Sequence, residues 1–350
     1  MISLDGSQGE GGGQILRTSL ALSILTRTPF KLVNIRANRK PPGLRPSHMM
    51  SVKAAADVCG GLYKGGTVGS STLYFEPGDV KAGEYKFTIG TAGATGLVLH
   101  AVYLPLALRG AEPSTVTITG GTHVSSSPCF HFNATTWAGY LRKMNLEVEL
   151  EMLRPGFYPR GGGEIRAVIR PCSHVRGVRL MTCPELTTAG GLSAVAGLPE
   201  GIAERQAKRL AFRMKRHEIE SHIPEETWPG GPGTVAAVIF RQAPIPTLFF
   251  GIGEKGKPAE SVADDAADQA IAFRDSKCPV DPHSADQILL PLALSPDASE
   301  YRVSEVTRHL TTNIDVVKRF VDRDISLEGN EGEPGVVRIG AKAIEEILTG

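Results

Sequence analysis

Leu104-Pro105-Leu106-Ala107-Leu108 recurs as Leu290-Pro291-Leu292-Ala293-Leu294, and a weaker echo, Leu20-Ala21-Leu22, stands in the same relation to its neighbours near the N-terminus. Each copy ends an apolar stretch long enough for about three helical turns, entered from a loop rich in Gly, Ser or Thr. After each comes a short β-branched run: Lys31-Leu32-Val33-Asn34-Ile35, then Thr115-Val116-Thr117-Ile118, then Tyr301-Arg302-Val303. A second helix follows in every case. Ser47 is expected to cap the first of these, and Gly60-Gly61 to stop it. The middle one is expected from about Cys129 to Met144, and in the last Thr312 and Asp315 read as a capping-box-like pair. Two strands close each unit, around Gly61–Tyr63 and Thr72–Phe75, Leu146–Glu151 and Gly163–Arg170, and Ile325–Glu328 and Gly335–Ile339. The pattern is helix–strand–helix–strand–strand, three times over, and it predicts an α/β fold.

Between the second and third copies lies a different α/β pattern. Leu192–Gly197, Val235–Arg241 and Leu248–Gly253 read as strands; Pro199–His217 and Ala259–Arg274 read as helices, the first carrying Arg205, Lys208, Arg209 and Arg213. The expected organisation is a large domain of three repeats (1–184 and 278–350) with a smaller α/β domain inserted at 185–277.

Composition narrows the function. The 350 residues hold 38 basic and 37 acidic side chains, and no uncharged apolar run reaches the ~18 residues of a membrane span. No N-terminal signal pattern precedes Leu4-Asp5-Gly6, so a cytoplasmic location is expected. Cys59, Cys129, Cys172, Cys183 and Cys278 are widely spaced, with neither a zinc pattern nor a disulfide framework among them. The charge is unevenly placed. From Gly11 to Ala56 there is no acid, yet Arg17, Arg27, Lys31, Arg36, Arg39, Lys40, Arg45 and Lys53 all fall there. A one-signed stretch in a neutral protein is the expected footprint of an anionic ligand.

Forty glycines, about 11% of the chain against a usual ~7%, cluster near that stretch. In Gly6-Ser7-Gln8-Gly9-Glu10-Gly11-Gly12-Gly13-Gln14 the backbone amides and the following helix start would cradle an anion. Neither G-x-x-x-x-G-K-[ST] nor G-x-G-x-x-G is satisfied, so the usual nucleotide loops are excluded. Glu10, a carboxylate among glycines, suits a divalent metal shared with phosphates. Aligning the repeats places Gln14, His100 and Asp286 at equivalent positions near the starts of first helices, which predicts a shared polar centre. His48, His131 and His309 likewise stand at the starts of second helices, where the helix dipole disfavours the imidazolium. A neutral imidazole beside Arg308 is a competent nucleophile towards phosphorus.

Four segments occur in a characteristic order: Gly9-Glu10-Gly11-Gly12-Gly13-Gln14 with Arg17; Ile35-Arg36-Ala37-Asn38-Arg39 leading to Pro42-Gly43-Leu44-Arg45-Pro46-Ser47-His48; Gly156-Phe157-Tyr158-Pro159-Arg160-Gly161-Gly162-Gly163; and His309-Leu310-Thr311-Thr312-Asn313. With these the chain closely resembles the RNA 3′-terminal phosphate cyclases from Ser3 to Gly340. The resemblance implies three repeated α/β units with an inserted smaller domain. It also implies an ATP-dependent enzyme that adenylylates a histidine, passes AMP to an RNA 3′-phosphate and closes a 2′,3′-cyclic phosphodiester. Carried over by position, His309 is the nucleophile and Glu10 the ligand for Mg²⁺ or Mn²⁺. Arg17, Arg36, Arg39, Arg45 and His48 meet phosphates or RNA, and His100 with His283, Ser284, Ala285, Asp286 and Gln287 lines the ATP site. The chain departs from the family pattern at His100, where glutamine is expected, at His283, where tyrosine is common, and at Pro155, where a basic residue usually precedes Gly156. A non-catalytic relative acting in ribosome assembly and an enolpyruvyl-type transferase are the alternatives. The first lacks the adenylylation histidine and the second has no use for one, so His309 argues against both.

Overall fold

Ser114–Gly120 alternates buried and half-buried residues along its whole length, as a strand does when one face lies on a core. Around this strand and its counterparts the chain builds four sheets. The computed structural model describes residues 1–343, so the third repeat, expected to run to 350, extends past the described residues.

The first sheet holds β1 (Ile2–Asp5), β2 (Phe30–Val33), β3 (Leu62–Lys64) and β4 (Leu73–Glu76) in the order β1-β2-β4-β3. Helices α1 (Gln14–Thr26) and α2 (Pro46–Cys59) belong to the same stretch. The second holds β5 (Glu84–Thr88), β6 (Ser114–Gly120), β7 (Val148–Arg154) and β8 (Gly163–Ile169), ordered β5-β6-β8-β7. Its helices are α3 (Thr95–Arg109), α4 (Phe130–Phe132) and α5 (Ala138–Lys143), the last two joined by one π-helical stretch, Asn133–Trp137. After β9 (Arg179–Leu180) come β10 (Thr188–Ala196), α6 (Gly201–Arg216), β11 (Glu220–His222), β12 (Glu225–Trp228), β13 (Gly233–Phe240), β14 (Thr247–Ile252) and α7 (Ala259–Ser276). The described chain ends with α8 (Pro282–Ala293), β15 (Ser299–Val303), α9 (Arg308–Phe320), β16 (Ile325–Glu328) and β17 (Gly335–Ile339), and here the sheet order is β16-β17-β15-β9.

Three of the sheets share one order and sense: a parallel pair, β1–β2, β5–β6 or β9–β15, followed by two antiparallel neighbours. The leading strand of each pair is short or largely polar, which is why apolar patterning alone passes over it. The remaining sheet, β11-β10-β13-β14 with β12 also on β10, is covered by α6 and α7. Every residue of β13 is buried, because its other face meets the main core through Val235, Ala237 and Ile239. Leu210, Met214, Val238, Phe240, Phe249 and Phe273 form a second apolar cluster confined to residues 186–273. The cations of α6 are balanced there: Arg209 and Arg213 pair with Asp264, Arg205 with Glu260 and Lys208 with Glu204.

Two expected caps are corrected. Helix α2 starts at Pro46 with Arg45 as its N-cap, since proline is pre-organised for the first helical position; Ser47 lies inside. Helix α9 starts at Arg308, and the Thr307 hydroxyl caps it by accepting from the Leu310 amide at 3.2 Å. Thr312 is thereby turned inward, away from capping.

Helix α1 packs on α2, α3 and α9, and α9 on α8. Polar side chains lock this junction. The Thr18 hydroxyl donates to Asn313 Oδ1 at 2.7 Å, and Asn313 Nδ2 donates to the Asp286 carbonyl at 2.7 Å. Replacing Asn313 by Ala leaves the buried Thr18 hydroxyl without its acceptor, at roughly 1–3 kcal/mol, and takes from the Asp286 carbonyl its second donor, the helical one remaining. Asn313→Ala is therefore expected to lower unfolding stability by about 1–3 kcal/mol in urea titration, and an unchanged midpoint would remove Asn313 from this role.

Candidate active site

The glycine loop ahead of α1 is shaped by what its missing side chains leave room for. A Cβ on Gly9, where φ is +58°, would lie 2.0 Å from Thr312 Oγ1. One on Gly12 would lie 2.2 Å from Glu10 Oε2, and one on Gly13 would meet His48 Nε2 at 2.4 Å and Arg17 Nη1 at 2.6 Å. These glycines let the backbone approach the side chains of α2 and α9 closely. The Glu10 amide donates to Thr312 Oγ1 at 3.0 Å, tying the loop to α9. Glu10 itself accepts from the Gln14 amide at 3.2 Å and pairs with Arg39 at 3.2 Å, its carboxylate only 4% exposed.

Behind the loop is a cavity of about 30 Å³ lined by Gln14, Arg17, His100, Trp137, Asp286 and Gln287, among others. The polar centre expected from the repeat therefore exists: Gln14, His100 and Asp286 come from three separate helices and share one small space. His100 Nε2 and Gln287 Oε1 are buried there without a hydrogen-bond partner, the condition of groups awaiting a ligand or water. The enclosed part of this space has room for a few waters. Of 283–287, Asp286 and Gln287 line the cavity. His283 is exposed, Ala285 is packed into the core, and Ser284 is buried with its hydroxyl unpartnered.

Burial and cations together set the protonation. Burial pushes His100 down to about 3, with Arg17 adding to the effect. His48 falls to about 3 for the same first reason, with Arg17, Arg36 and Arg45 contributing. Burial raises the Asp286 carboxyl to about 7 against the pull of Arg17. His309 reaches solvent, yet withdrawal of its ring from bulk water holds its pKa below the ordinary value, Glu10 opposing and Arg17, Arg39 and His283 assisting. A histidine so placed is neutral near pH 7 and has a free lone pair.

The arginines are not alike. Arg17 donates to Gln14 Oε1 at 3.1 Å, while Arg36 spends one amino group on the Pro41 and Gly43 carbonyls at 2.9 and 3.0 Å. Neither of these two, nor Arg45, forms an ion pair with a carboxylate among the described residues. Their positive charge is thus available to an anion, whereas Arg39 is shared with Glu10. Sequence patterning missed Thr18, Tyr103 and Trp137, and quoted Thr312 and Asn313 only within the His309 motif, without their contacts to the glycine loop and α1. The one usable signal was the position of Gly9, Gly12 and Gly13, since an unexplained glycine implies a neighbour pressing on it. Trp137 reaches the cavity through the π-helical stretch, which has no mark in hydrophobic periodicity.

Comparison with known proteins gives a consistent family. The sequence profile described as "RNA 3'-terminal phosphate cyclase" matches residues 8–327. The chain is 40% identical over 339 residues to a Ralstonia nicotianae protein called RNA 3'-terminal phosphate cyclase, covering 97% of this chain and 96% of that one. A Pseudomonas fluorescens protein of the same name is 42% identical over 323 residues, covering 92% of each chain. One from Pyrococcus furiosus is 39% identical over 346 residues, covering 98% of this chain and all of that one.

His100 provides a check on the electrostatics. Its pKa is lower folded than unfolded, so its contribution to stability is complete above about 6.5 and is lost as pH falls towards 3. From pH 7.5 to pH 5 that loss is about 2 kcal/mol. Urea unfolding of His100→Gln should show an acid loss smaller by about this amount, and equal losses in both proteins would contradict a buried neutral imidazole.

Proposed function

Because the chain belongs to the RNA 3′-terminal phosphate cyclase family, we propose that it converts an RNA 3′-terminal phosphate to a 2′,3′-cyclic phosphodiester at the expense of ATP. The observation that carries this reading is the setting of His309: a neutral, solvent-reachable imidazole on the first turn of α9, facing Glu10, Arg17 and Arg39.

In the first step a ring nitrogen of His309 attacks the α-phosphorus of ATP, pyrophosphate leaves, and the ring gives up a proton. A terminal oxygen of the RNA 3′-phosphate then attacks the adenylyl phosphorus, and His309 departs. Finally the 2′-OH attacks the activated 3′-phosphorus, its proton is lost, and AMP leaves. The anhydride supplies the leaving group, and the vicinal hydroxyl makes the last attack intramolecular. Arg17, Arg36, Arg39 and Arg45 offset the repulsion between two polyanions, with planar guanidinium forks suited to phosphate oxygens. Asp286 and Gln287, with His100, are assigned to the nucleotide, along with His283, Ser284 and Ala285 on the same turn; His48 stands with the arginines towards phosphate.

Glu10 fits a small divalent cation: magnesium-type ions take one or two protein carboxylates and complete their shell with phosphate oxygens and water. Mg²⁺ or Mn²⁺ there would neutralise phosphate charge. Arg39 holds the same carboxylate by donating to it at 3.2 Å.

RNA carrying a labelled 3′-phosphate, incubated with ATP and Mg²⁺, should acquire label that phosphatase no longer removes. His309→Ala should leave all of it removable while circular dichroism stays native; protected label from that variant would move the nucleophile elsewhere. Arg39→Ala should slow the ATP half-reaction by roughly tenfold to a hundredfold, with Arg39→Lys recovering only part. Glu10→Ala should impair that half-reaction more than cyclisation of preformed RNA adenylate, and equal impairment of both would make Glu10 a loop-shaping residue.

A further inference from the structure

The loop between β6 and α4 and the residues just beyond it bring together three side chains that the cleft does not use. His123 Nε2 and His131 Nδ1 share a hydrogen bond at 3.0 Å, and one nitrogen of each ring and Cys129 Sγ all lie within 4.8 Å of one another. It is the one such group of three potential ligands found among the described residues. His123 and Cys129 have no solvent exposure, and His131 is half-buried. None of the three forms an ion pair among the described residues.

We propose that His123, Cys129 and His131 form a binding site for one thiophilic divalent cation of the zinc type. Two imidazoles and a thiolate are the donor set that zinc-type ions select over magnesium-type ions, which prefer oxygen. Tetrahedral coordination with ordinary zinc bond lengths needs the donor atoms about 3.3–3.6 Å apart. The hydrogen-bonded nitrogens are within a few tenths of an ångström of that, and the sulfur, held by the Phe132 amide at 3.5 Å, closes by at most about 1.2 Å.

The surroundings hold the rings as ligands are commonly held. The Thr122 hydroxyl contacts His123 Nδ1 at 2.8 Å, accepts from the Gly156 amide at 2.9 Å, and donates to the Gly156 carbonyl at 3.4 Å. With the hydroxyl proton on Gly156, His123 Nδ1–H donates to Thr122 and the Nε2 lone pair faces the cluster, an outer-shell arrangement typical of metal-bound imidazole. Phe157 stacks on His123 at 5.2 Å, and Trp228 stacks on His131 at 5.4 Å. Binding breaks the Cys129 S–H bond and forms a sulfur–metal bond, the proton passing to solvent, while the proton His131 Nδ1 shares with His123 moves to His131 Nε2 and frees Nδ1 as a ligand. Three protein ligands leave the fourth position to water. The cation would join the β6–α4 loop directly, and through the stacked rings the Gly156–Gly163 turn and β12.

The test uses the full chain, freed of metal by a chelator and titrated with Co²⁺. One equivalent should give a thiolate-to-cobalt charge-transfer band with the visible bands of tetrahedral cobalt, and Zn²⁺ should bleach both. Cys129→Ser and His131→Gln should each lose the thiolate band; His131 is half-buried, so its variant keeps the test open if the serine variant fails to fold. Glu10→Ala and Cys183→Ser should retain it. Zn²⁺ should also raise the thermal midpoint of the wild type and not that of His131→Gln. Absence of the band in the wild type, its survival in Cys129→Ser, or its loss in Glu10→Ala would each overturn the proposal.

Discussion

Asn313 joins helices drawn from opposite ends of the chain. Its carbonyl accepts from Thr18, 295 positions away in sequence, and its amide donates to the backbone of Asp286 on α8. Fixing α1, α8 and α9 to one another in this way decides where everything else stands. The glycine loop enters α1, Asp286 and Gln287 sit on α8, and His309 lies one turn before Asn313 on α9. Both hydrogen bonds are buried, where a satisfied polar pair rigidifies and a broken one is costly. The cleft is therefore positioned by helices, and only the glycine loop and the 36–45 segment come from irregular chain.

From that placement the charges follow. Five arginines lie in the acid-free stretch, and three of them, Arg17, Arg36 and Arg45, have no carboxylate partner among the described residues. Desolvation first and the unpaired cations second lower His48 and His309, so the arrangement that attracts phosphate also helps keep the His309 lone pair available. Asp286 is the counterpart, a carboxyl kept partly protonated by burial at the back of the same cavity.

Much of this could be read from the residues before any coordinates. The recurring Leu-Pro-Leu-Ala-Leu segments located α3 and α8, and using them as a ruler brought Gln14, His100 and Asp286 to one cavity. The rest escaped for physical reasons. Strands β1, β5 and β9 bury few side chains, so periodicity barely marks them. Ser47 and Thr312 belong to a good capping type, but Pro46 and Thr307 fix the helix starts instead. Thr312 and Asn313 act across nearly the full length of the sequence, a separation no local pattern reports. Cysteine spacing could not show that Cys129 lies beside two histidines, one of them brought in by a loop that folds back onto Gly156.

The account stands or falls on which atom receives the adenylyl group. Incubating the protein with α-labelled ATP and Mg²⁺, denaturing it and mapping the label by peptide mass spectrometry addresses that atom directly. The account predicts a single AMP on the peptide containing His309, labile in acid and stable in alkali as a phosphoramidate is. Label on any other peptide, or an adduct stable in acid, would contradict it.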